Sequence, residues 1–281
     1  MILFNEAKTL KKHLQNVTGN NKTVGFVPTM GALHSGHLAL IQQSRQQCHV
    51  TVCSIFVNPT QFNDPRDFEK YPVTVESDLL QLEQNGTDIV FMPSVAEMYP
   101  EGLQGGTHYN IGYLENILEG FYRPGHFQGV CRVLHKLLAI VQPAVMFMGR
   151  KDYQQCMVVK QLIDLYNIPT KLAIVDTLRE PDGLAMSSRN LRLNIEDRQK
   201  ALAIYRALNF IKDELSNFSV NQLIDGAKQM ILQAGFEKID YVEICDAETL
   251  KAVTSINNPQ PLVALVAAFV GGVRLIDNMV L

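Results

Sequence analysis

Two histidines stand three residues apart in a segment that joins a predicted strand to a predicted helix. Residues 28–37 read PTMGALHSGH. On the first turn of a helix, His34 and His37 point the same way, and the helix start offers N–H groups and a positive dipole end that favour phosphate. Gly31 and Gly36 let the backbone approach a ligand closely. The segment therefore predicts a site that binds phosphate and stabilises charge as pyrophosphate leaves.

Two other interpretations use the same histidines. Both rings could simply pack and cap the helix, with Ser35 as the N-cap residue. A zinc site is disfavoured, because two histidines are too few ligands and no nearby cysteine or carboxylate completes the set. The phosphate interpretation is preferred because the histidines follow a strand and a glycine-containing turn.

Two further polar segments carry cations that suit phosphate. Residues 149–155 read GRKDYQQ and also join a strand end to a helix start. There Lys151 offers a point charge, Asp152 can cap the helix or bind ribose, and Gln155 lies one turn into the helix and faces the same cleft. Residues 186–190 read MSSRN and place two hydroxyls beside an arginine. A solvated loop and a polar turn are the respective alternatives.

Amides and arginines mark two more segments. Residues 56–62 follow a buried strand and carry two amides, of which Gln61 offers a donor and an acceptor to a substrate with hydroxyl and carboxyl groups. Residues 123–127 read RPGHF and form a predicted loop. Arg123 and Arg132 could bind a carboxylate or make surface ion pairs. A turn without a binding role is the alternative for both segments.

Alternating elements must position these groups. Strands are predicted at residues 23–27, 49–57, 88–92, 144–148 and 171–175. Helices are predicted between them at residues 36–47, 75–84, 128–141 and 152–166. This alternation predicts βαβ units with a parallel sheet and right-handed crossovers.

The pattern changes near residue 176. Helices are predicted at residues 195–215 and 220–234, and strands at residues 239–245, 262–269 and 273–280. Gly271 and Gly272 predict a hairpin between the last two strands. We therefore expect an α/β domain over residues 1–176 and a smaller α+β domain over residues 177–281.

Composition limits the class of function. Of the 281 residues, 47% are hydrophobic and 19% are charged, and the net charge is −3. That balance offers no basic field for nucleic acid or anionic lipid. The start of the chain does not resemble a signal peptide, and the longest apolar run is too short to span a bilayer. Five irregularly spaced cysteines without a CxxC pair predict buried thiols and a cytoplasmic protein.

Together, and in this order, the motifs resemble those of the pantothenate synthetase family. The matching stretches are residues 28–37, 56–62, 123–130, 149–155 and 186–190. HxGH followed by MSSR also resembles the wider nucleotidyltransferase and class I aminoacyl-tRNA synthetase superfamily. The longer strings PTMGALHxGH and GxKDYQQ narrow the resemblance to the one family, over essentially the whole chain.

The resemblance implies a fold and a reaction. The fold is a Rossmann-like parallel-sheet domain that binds ATP and pantoate, followed by a small α+β lid domain. The reaction is an ATP-dependent condensation of pantoate with β-alanine, through a pantoyl-adenylate, to give pantothenate, AMP and pyrophosphate. A homodimer, and magnesium bound with ATP, are implied as well.

The resemblance also implies roles for individual residues. His37 matches a proton donor accompanied by His34, and Gln61 and Gln155 match pantoate ligands, with β-alanine also near Gln61. The implied catalytic residues are His34, His37, Lys151, Ser187, Ser188 and Arg189. The implied ATP contacts are Met30, Gly31, Ala32, Leu33, His34, Ser35, Gly36, His37, Gly149, Arg150, Lys151, Asp152, Leu178, Met186, Ser187, Ser188 and Arg189.

A magnesium ligand is harder to assign. An acidic pair often stands in relatives where this chain has Ser77 and Asp78. Asp78 is therefore the candidate carboxylate.

Two alternatives to the ligase remain open. A cofactor adenylyltransferase of the same superfamily would keep its adenylylated product and would need no amine. A non-catalytic ATP sensor would bind ATP without releasing pyrophosphate. A tRNA synthetase is disfavoured by the small size and acidic balance of the chain.

Overall fold

The chain forms two compact units in a computed structural model that describes residues 1–256 and 260–281. The first unit comprises Met1–Arg150 and Gln154–Asp176, and the second comprises Lys151–Tyr153 and Thr177–Leu281. Lys151–Tyr153 thus packs with the second unit, although its sequence neighbours on both sides belong to the first.

The first unit is built on a parallel sheet. Its strands are β1 (Ile2–Phe4), β2 (Val24–Thr29), β3 (Val50–Ile55), β4 (Ile89–Phe91), β5 (Val145–Gly149) and β6 (Lys171–Val175). They lie in the order β1-β4-β3-β2-β5-β6, and every neighbouring pair is parallel. This topology confirms the predicted Rossmann-like α/β fold.

Helices connect these strands. They are α1 (Ala7–Gly19), α2 (Ser35–Gln47), α3 (Pro65–Glu69), α4 (Val75–Gln84), α5 (Val95–Met98), α6 (Leu118–Tyr122), α7 (His126–Val141) and α8 (Tyr153–Leu165). Short 3₁₀ turns occupy Pro59–Gln61, Gly112–Glu115 and Arg150–Asp152. Within the described residues, no helix has the length and apolar character needed to cross a membrane.

The sheet is buried because helices cover it, so its central strands read as continuous apolar runs. Val27 of β2, Cys53 of β3 and Val90 of β4 form one core cluster with Leu40 of α2 and Leu82 of α4. This packing fixes where α2 and α4 begin relative to the strand ends.

Two elements precede the first predicted strand. β1 has three residues, of which Ile2 and Leu3 are exposed, and it is defined by its pairing with β4. α1 follows it and buries Leu10 and Leu14. So short a strand leaves no periodic pattern in the sequence.

The second unit is a smaller α+β assembly, as predicted. It contains α9 (Ile195–Asp213), α10 (Val220–Gln233) and the antiparallel strands β7 (Lys238–Asp246), β8 (Leu262–Val270) and β9 (Val273–Val280), in the order β7-β8-β9. The helices pack on the sheet through a shared apolar cluster. Gly271 and Gly272 form the predicted hairpin turn, with φ angles of +58° and +67°.

Candidate active site

Three of the predicted segments follow three neighbouring strands of the first unit. The histidine segment follows β2, the segment with Gln61 follows β3, and residues 149–155 begin at the end of β5. The crossover from β2 leads to β3 on one side and the crossover from β5 leads to β6 on the other, so the strand order reverses between β2 and β5. Ligands of open parallel sheets bind at such a switch point, beyond the carboxyl ends of the strands.

His34 and His37 make a reciprocal cap at the start of α2. The His34 Nδ1 atom accepts a hydrogen bond from the Gly36 N–H at 3.1 Å, and the His37 Nδ1 atom accepts one from the His34 N–H at 3.3 Å. The N-cap residue is therefore His34, and Ser35 is the first helical residue. The two ring centroids are 4.0 Å apart.

This cap determines the tautomer of both histidines. A neutral imidazole has one N–H donor and one acceptor nitrogen. Because both Nδ1 atoms accept from the backbone, the ring protons of the neutral forms lie on the Nε2 atoms. Capping and phosphate binding are thus compatible: one edge of each ring caps the helix, and the other edge carries a donor.

Asp78 holds the loop that leads to these histidines. Its Oδ2 atom accepts from the Ala32 N–H at 2.9 Å, and its Oδ1 atom accepts from the Leu33 N–H at 2.8 Å and from the Thr74 hydroxyl at 3.0 Å. The side chain is buried, with 1% of its surface exposed. Gly31 and Ala32 both have positive φ angles, +80° and +48°, so the carboxylate fixes a strained part of the backbone.

These contacts do not fit Asp78 as a direct magnesium ligand. Both carboxylate oxygens already accept hydrogen bonds, and the group is closed off from solvent. Over residues 1–256 and 260–281, no group of three or more His, Cys, Asp or Glu side chains could hold a metal ion. The observed role of Asp78 is to hold the loop.

Gln61 is oriented by the buried residue Asn58. The sequence pattern indicated Asn58 only as the second amide of the turn. The Asn58 Oδ1 atom accepts from Tyr99 Oη at 2.8 Å and from Thr60 Oγ1 at 3.0 Å, so its Nδ2 group must donate. One of its acceptors is Gln61 Oε1, at 3.0 Å. Gln61 therefore presents its Nε2 group, which lies 3.1 Å from the Met30 sulfur.

The turn that carries Gln61 packs tightly on α7. His126 Nδ1 lies 2.8 Å from the Gln61 carbonyl oxygen. A Cβ atom on Gly129 would lie 2.1 Å from the Thr60 carbonyl oxygen, so only glycine fits there. The turn bearing Gln61 is consequently held on two sides.

Arg123 and Arg132 make local contacts. Arg123 lies 3.5 Å from the Glu119 carboxylate and donates to Asn63 Oδ1 at 3.3 Å. Arg132 donates to the Leu103 carbonyl at 2.7 Å. The structure thus shows an ion pair for Arg123 and a backbone hydrogen bond for Arg132.

Two adjacent glutamines of α8 differ in their surroundings. Gln154 is buried, accepts from the Glu119 N–H at 2.9 Å and donates to the carbonyls of Leu114 and Ile117, each at 2.9 Å. Gln155 is half-buried, and its amide makes no hydrogen bond to another described residue. Gln154 therefore has a structural role, whereas the Gln155 amide has no hydrogen-bond partner among the described residues.

The remaining predicted residues divide between the units. Gly149 and Arg150 belong to the first unit, where Arg150 pairs with Asp176. Lys151, Asp152, Leu178 and residues 186–189 belong to the second.

The serines and arginine of the second unit follow a tight turn. The Met186 N–H donates to the Leu178 carbonyl at 3.1 Å, which closes the turn. Ser187 then caps the 3₁₀ turn Ser188–Arg192, because its Oγ atom accepts from the Arg189 N–H at 3.3 Å. Ser188 is buried and Arg189 is half-buried. Two hydroxyl groups and a guanidinium thus lie on one short, defined backbone segment.

Comparison with known proteins gives consistent matches. A family model described as pantoate-beta-alanine ligase matches residues 2–280. The pantothenate synthetase of Cytophaga hutchinsonii is 43% identical over 283 residues, which cover 100% of this chain and 99% of that protein. The pantothenate synthetase of Leptospira biflexa is 44% identical, with the same coverage.

Solved structures agree with these sequence matches. A crystal structure of pantothenate synthetase from Thermus thermophilus has a TM-score of 0.92 at 38% identity and covers 99% of each chain. A crystal structure of the pantoate-beta-alanine ligase from Francisella tularensis, complexed with beta-gamma ATP and beta-alanine, has a TM-score of 0.84 at 38% identity. It covers 100% of this chain and 97% of that one.

Proposed function

This chain belongs to the pantoate-β-alanine ligase family, and we propose that it joins pantoate to β-alanine at the expense of ATP, through a pantoyl-adenylate. It is an enzyme that forms a carbon–nitrogen bond and releases pantothenate, AMP and pyrophosphate. The observation that carries the proposal is the loop between β2 and α2, where the helix cap fixes two histidines in one tautomer.

The reaction needs activation of a carboxylate. A free carboxylate does not form an amide with an amine at neutral pH. In the first step, a pantoate carboxylate oxygen attacks the α-phosphorus of ATP, and pyrophosphate leaves with the electrons of the broken phosphoanhydride bond. In the second step, the amine of β-alanine attacks the acyl carbon, loses a proton and expels AMP.

In the first unit, the histidines serve the first step. We assign the Nε2–H groups of His34 and His37 as donors to ATP phosphate oxygens, with His37 as the proton donor. Met30, Gly31, Ala32, Leu33, Ser35 and Gly36 supply the backbone around the nucleotide. Positioned donors of this kind stabilise the charge that develops as pyrophosphate leaves.

Gln61 and Gln155 are the proposed pantoate ligands. Asn58 sets the Nε2 group of Gln61 as a donor, which suits a carboxylate or hydroxyl oxygen of pantoate. Gln155 has an uncommitted amide on α8. β-Alanine is placed near Gln61.

In the second unit, cationic and hydroxyl groups are the proposed ATP ligands. Lys151 and Arg189 bind phosphate oxygens, supported by the hydroxyls of Ser187 and Ser188. Asp152, Leu178 and Met186 of the same unit are further proposed ATP contacts. Gly149 and Arg150 are proposed ATP contacts from the first unit. Magnesium is proposed to enter with ATP as the counter-ion of its phosphates, without Asp78 as a ligand.

Two wider proposals concern the roles of the domains and the cellular compartment. Residues 1–176 act as the catalytic domain and residues 177–281 as a lid that excludes water from the adenylate. The cytoplasm is the proposed compartment, because none of the five cysteines, all of which lie in the described residues, forms a disulfide. Limited proteolysis that shows no protection of residues 177–281 by substrates would contradict the lid.

A homodimer is proposed through the first unit. Large apolar side chains are exposed on the segment Gly112–Tyr122 and at the end of α8: Tyr113 (45%), Phe121 (65%), Tyr122 (37%) and Leu165 (48%). Such exposed apolar groups mark interaction surfaces when they occur together. A monomer in analytical ultracentrifugation would contradict this proposal.

The reaction predicts pantoate-dependent exchange of labelled pyrophosphate into ATP when β-alanine is absent. Exchange requires a reversible first step and an adenylate that stays bound. Addition of β-alanine should then convert the adenylate into amide and AMP. A non-catalytic ATP sensor would show no exchange, and a cofactor adenylyltransferase would show none with pantoate.

An oxygen label gives an independent check. Pantoate with ¹⁸O in its carboxylate should pass one labelled oxygen to AMP, because that oxygen bridges carbon and phosphorus in the adenylate. Label in inorganic phosphate, with ADP as product, would indicate an acyl-phosphate route and would overturn the proposal.

Gln155→Ala and Gln154→Ala should have opposite consequences. Gln155→Ala is expected to raise the KM for pantoate about tenfold or more, with little change in stability, because a polar ligand contact is worth about 1–3 kcal/mol. Gln154→Ala should instead destabilise the fold by a similar amount, because it removes three hydrogen bonds, those to the Glu119 N–H and to the carbonyls of Leu114 and Ile117. Pyrophosphate-exchange kinetics and thermal unfolding of both variants separate the ligand role from the structural role. A destabilised Gln155→Ala, or a raised KM for pantoate in a stable Gln154→Ala, would contradict the assignment.

A further inference from the structure

β9 carries an aspartate and an asparagine that are both buried. Asp277 is 5% exposed and Asn278 is 4% exposed. Adjacent residues of a strand point to opposite faces. Each face of β9 therefore carries a buried polar side chain at this point. Buried polar groups need hydrogen-bond partners, and the partners here lead to the proposed phosphate ligands.

Asp277 binds Arg179 through both carboxylate oxygens. The Arg179 Nη1 atom donates to Oδ2 at 2.6 Å and the Nη2 atom to Oδ1 at 3.0 Å. The guanidinium also lies 4.6 Å from the centre of the Tyr205 ring. Burial raises the pKa of the Asp277 carboxyl, while the charges of Arg179 and Lys151 oppose that rise.

Arg179 fixes the turn that precedes the serines. Its Nη1 atom donates to the Gly183 carbonyl at 3.1 Å, and residues 179 and 185 form a β-bridge. Gly183 has a φ of +95°, and a Cβ atom there would lie 2.1 Å from the Tyr205 ring. The backbone that enters residues 187–189 is therefore anchored to β9 through Arg179.

Asn278 joins this turn to Lys151. Its carbonyl oxygen accepts from Arg179 Nη2 at 3.2 Å, and its side-chain Nδ2 group donates to the Lys151 carbonyl at 2.8 Å. Tyr153 makes a second tie in the same unit, because its hydroxyl donates to the Ala247 carbonyl at 2.7 Å. One residue of β9 thus contacts the Lys151 backbone directly and, through the Arg179 side chain, the turn that precedes residues 187–189.

We infer that Asn278 is a positioning residue that sets the placement of Lys151 relative to residues 187–189 within the second unit. The inference rests on the proposed function, in which these groups bind ATP phosphates. Charge-stabilising groups act only when they are held close to their productive geometry. Loss of the Asn278 bond should therefore weaken ATP use while pantoate use is unchanged.

The test uses the full chain with three single substitutions. Asn278→Ala removes the bond to Lys151, and Tyr153→Phe removes the second tie while keeping the ring. Asn209→Ala is the control for loss of one asparagine hydrogen bond, because the half-buried Asn209 side chain donates to the Tyr205 carbonyl at 2.8 Å within α9. In pantoate-dependent pyrophosphate exchange, Asn278→Ala should raise the KM for ATP about tenfold and Tyr153→Phe about threefold, as expected for one lost hydrogen bond.

The expected pattern is specific. The KM for pantoate should stay within about twofold of the wild-type value in all three variants. Equal rises in the two KM values of Asn278→Ala, or an unchanged KM for ATP in that variant, would overturn the inference. The same holds if Asn209→Ala raises the KM for ATP as much as Asn278→Ala does.

Hydrogen exchange separates failure of this inference from failure of the proposed function. Peptides covering Lys151–Tyr153 and Ser188–Arg192 should exchange faster in Asn278→Ala than in the wild type, and no faster in Asn209→Ala. This measurement needs no activity. A wild-type protein without pyrophosphate exchange would refute the proposed function. Unchanged hydrogen exchange at Lys151–Tyr153 in Asn278→Ala would refute the positioning role.

Discussion

Replacing His34 by Asn, or His37 by Gln, is expected to slow adenylate formation about 10²–10³-fold while leaving the fold intact. Loss of one preorganised donor to a developing charge typically has an effect of this size. The substitutions remove the Nε2–H groups that we assign to the ATP phosphates. They are chosen because they retain the helix cap.

The choice of Asn and Gln separates two roles of the same rings. Asparagine is a preferred N-cap residue, so His34→Asn can still accept from the Gly36 N–H. Glutamine at the third helical position completes a capping box, so His37→Gln can still accept from the His34 N–H. Stability should therefore stay within about 0.5 kcal/mol of the wild type.

Single-turnover release of pyrophosphate measures the affected step directly. His34→Ala and His37→Ala, which lose both the cap and the donor, should be as slow as the capped variants and also less stable by about 1 kcal/mol. His49→Ala, at a site where the ring contacts Thr23 outside the α2 cap, is the control. Near-normal release in His34→Asn and His37→Gln would show that the rings act only as caps.

The second large effect is expected on stability, at Asp78. Asp78→Ala should destabilise the first unit by about 2–6 kcal/mol, because two buried backbone N–H groups lose their acceptor and each costs about 1–3 kcal/mol. The carboxylate would no longer hold Ala32 at its positive φ, so the loop should relax. The rate of pyrophosphate exchange should then fall as well. Glu76→Ala, at an exposed position of the same helix, should change neither property.

A metal titration distinguishes the two roles considered for Asp78. In Asp78→Asn, which keeps one acceptor oxygen, the loop should be weakened but the magnesium concentration for half-maximal pyrophosphate exchange should match the wild type. Hydrogen exchange at Ala32 and Leu33 should become faster. A large rise in the magnesium concentration required, with unchanged hydrogen exchange at the Ala32 and Leu33 amides, would instead identify Asp78 as a metal ligand.

Local patterns were enough to predict much of this protein. The apolar run of β3 indicated a buried strand, the alternation with helices indicated a parallel sheet, and Gly271 with Gly272 indicated the hairpin. Each of these signals comes from residues close together in the chain, whose periodicity and backbone preferences are local properties. The chemistry proposed for residues 28–37 rests on the same kind of signal, since the histidines, glycines and helix start lie within ten residues.

The tertiary structure decided what local patterns do not contain. Gln154 and Gln155 have identical side chains, and only packing around α8 gives one a structural role and leaves the other without a hydrogen bond to the described residues. The resemblance to the family made Asp78 a candidate metal ligand, but the fold directs its oxygens to the backbone of the β2–α2 loop.

The longest-range decisions left no trace in the sequence. β1 exists because it pairs with β4, which lies more than eighty residues later. Lys151 belongs to the second unit, where Asn278, 127 residues further along, holds its carbonyl. A residue's own type does not reveal such partners, because the free energy of these contacts depends on burial and geometry that arise only when distant segments pack together.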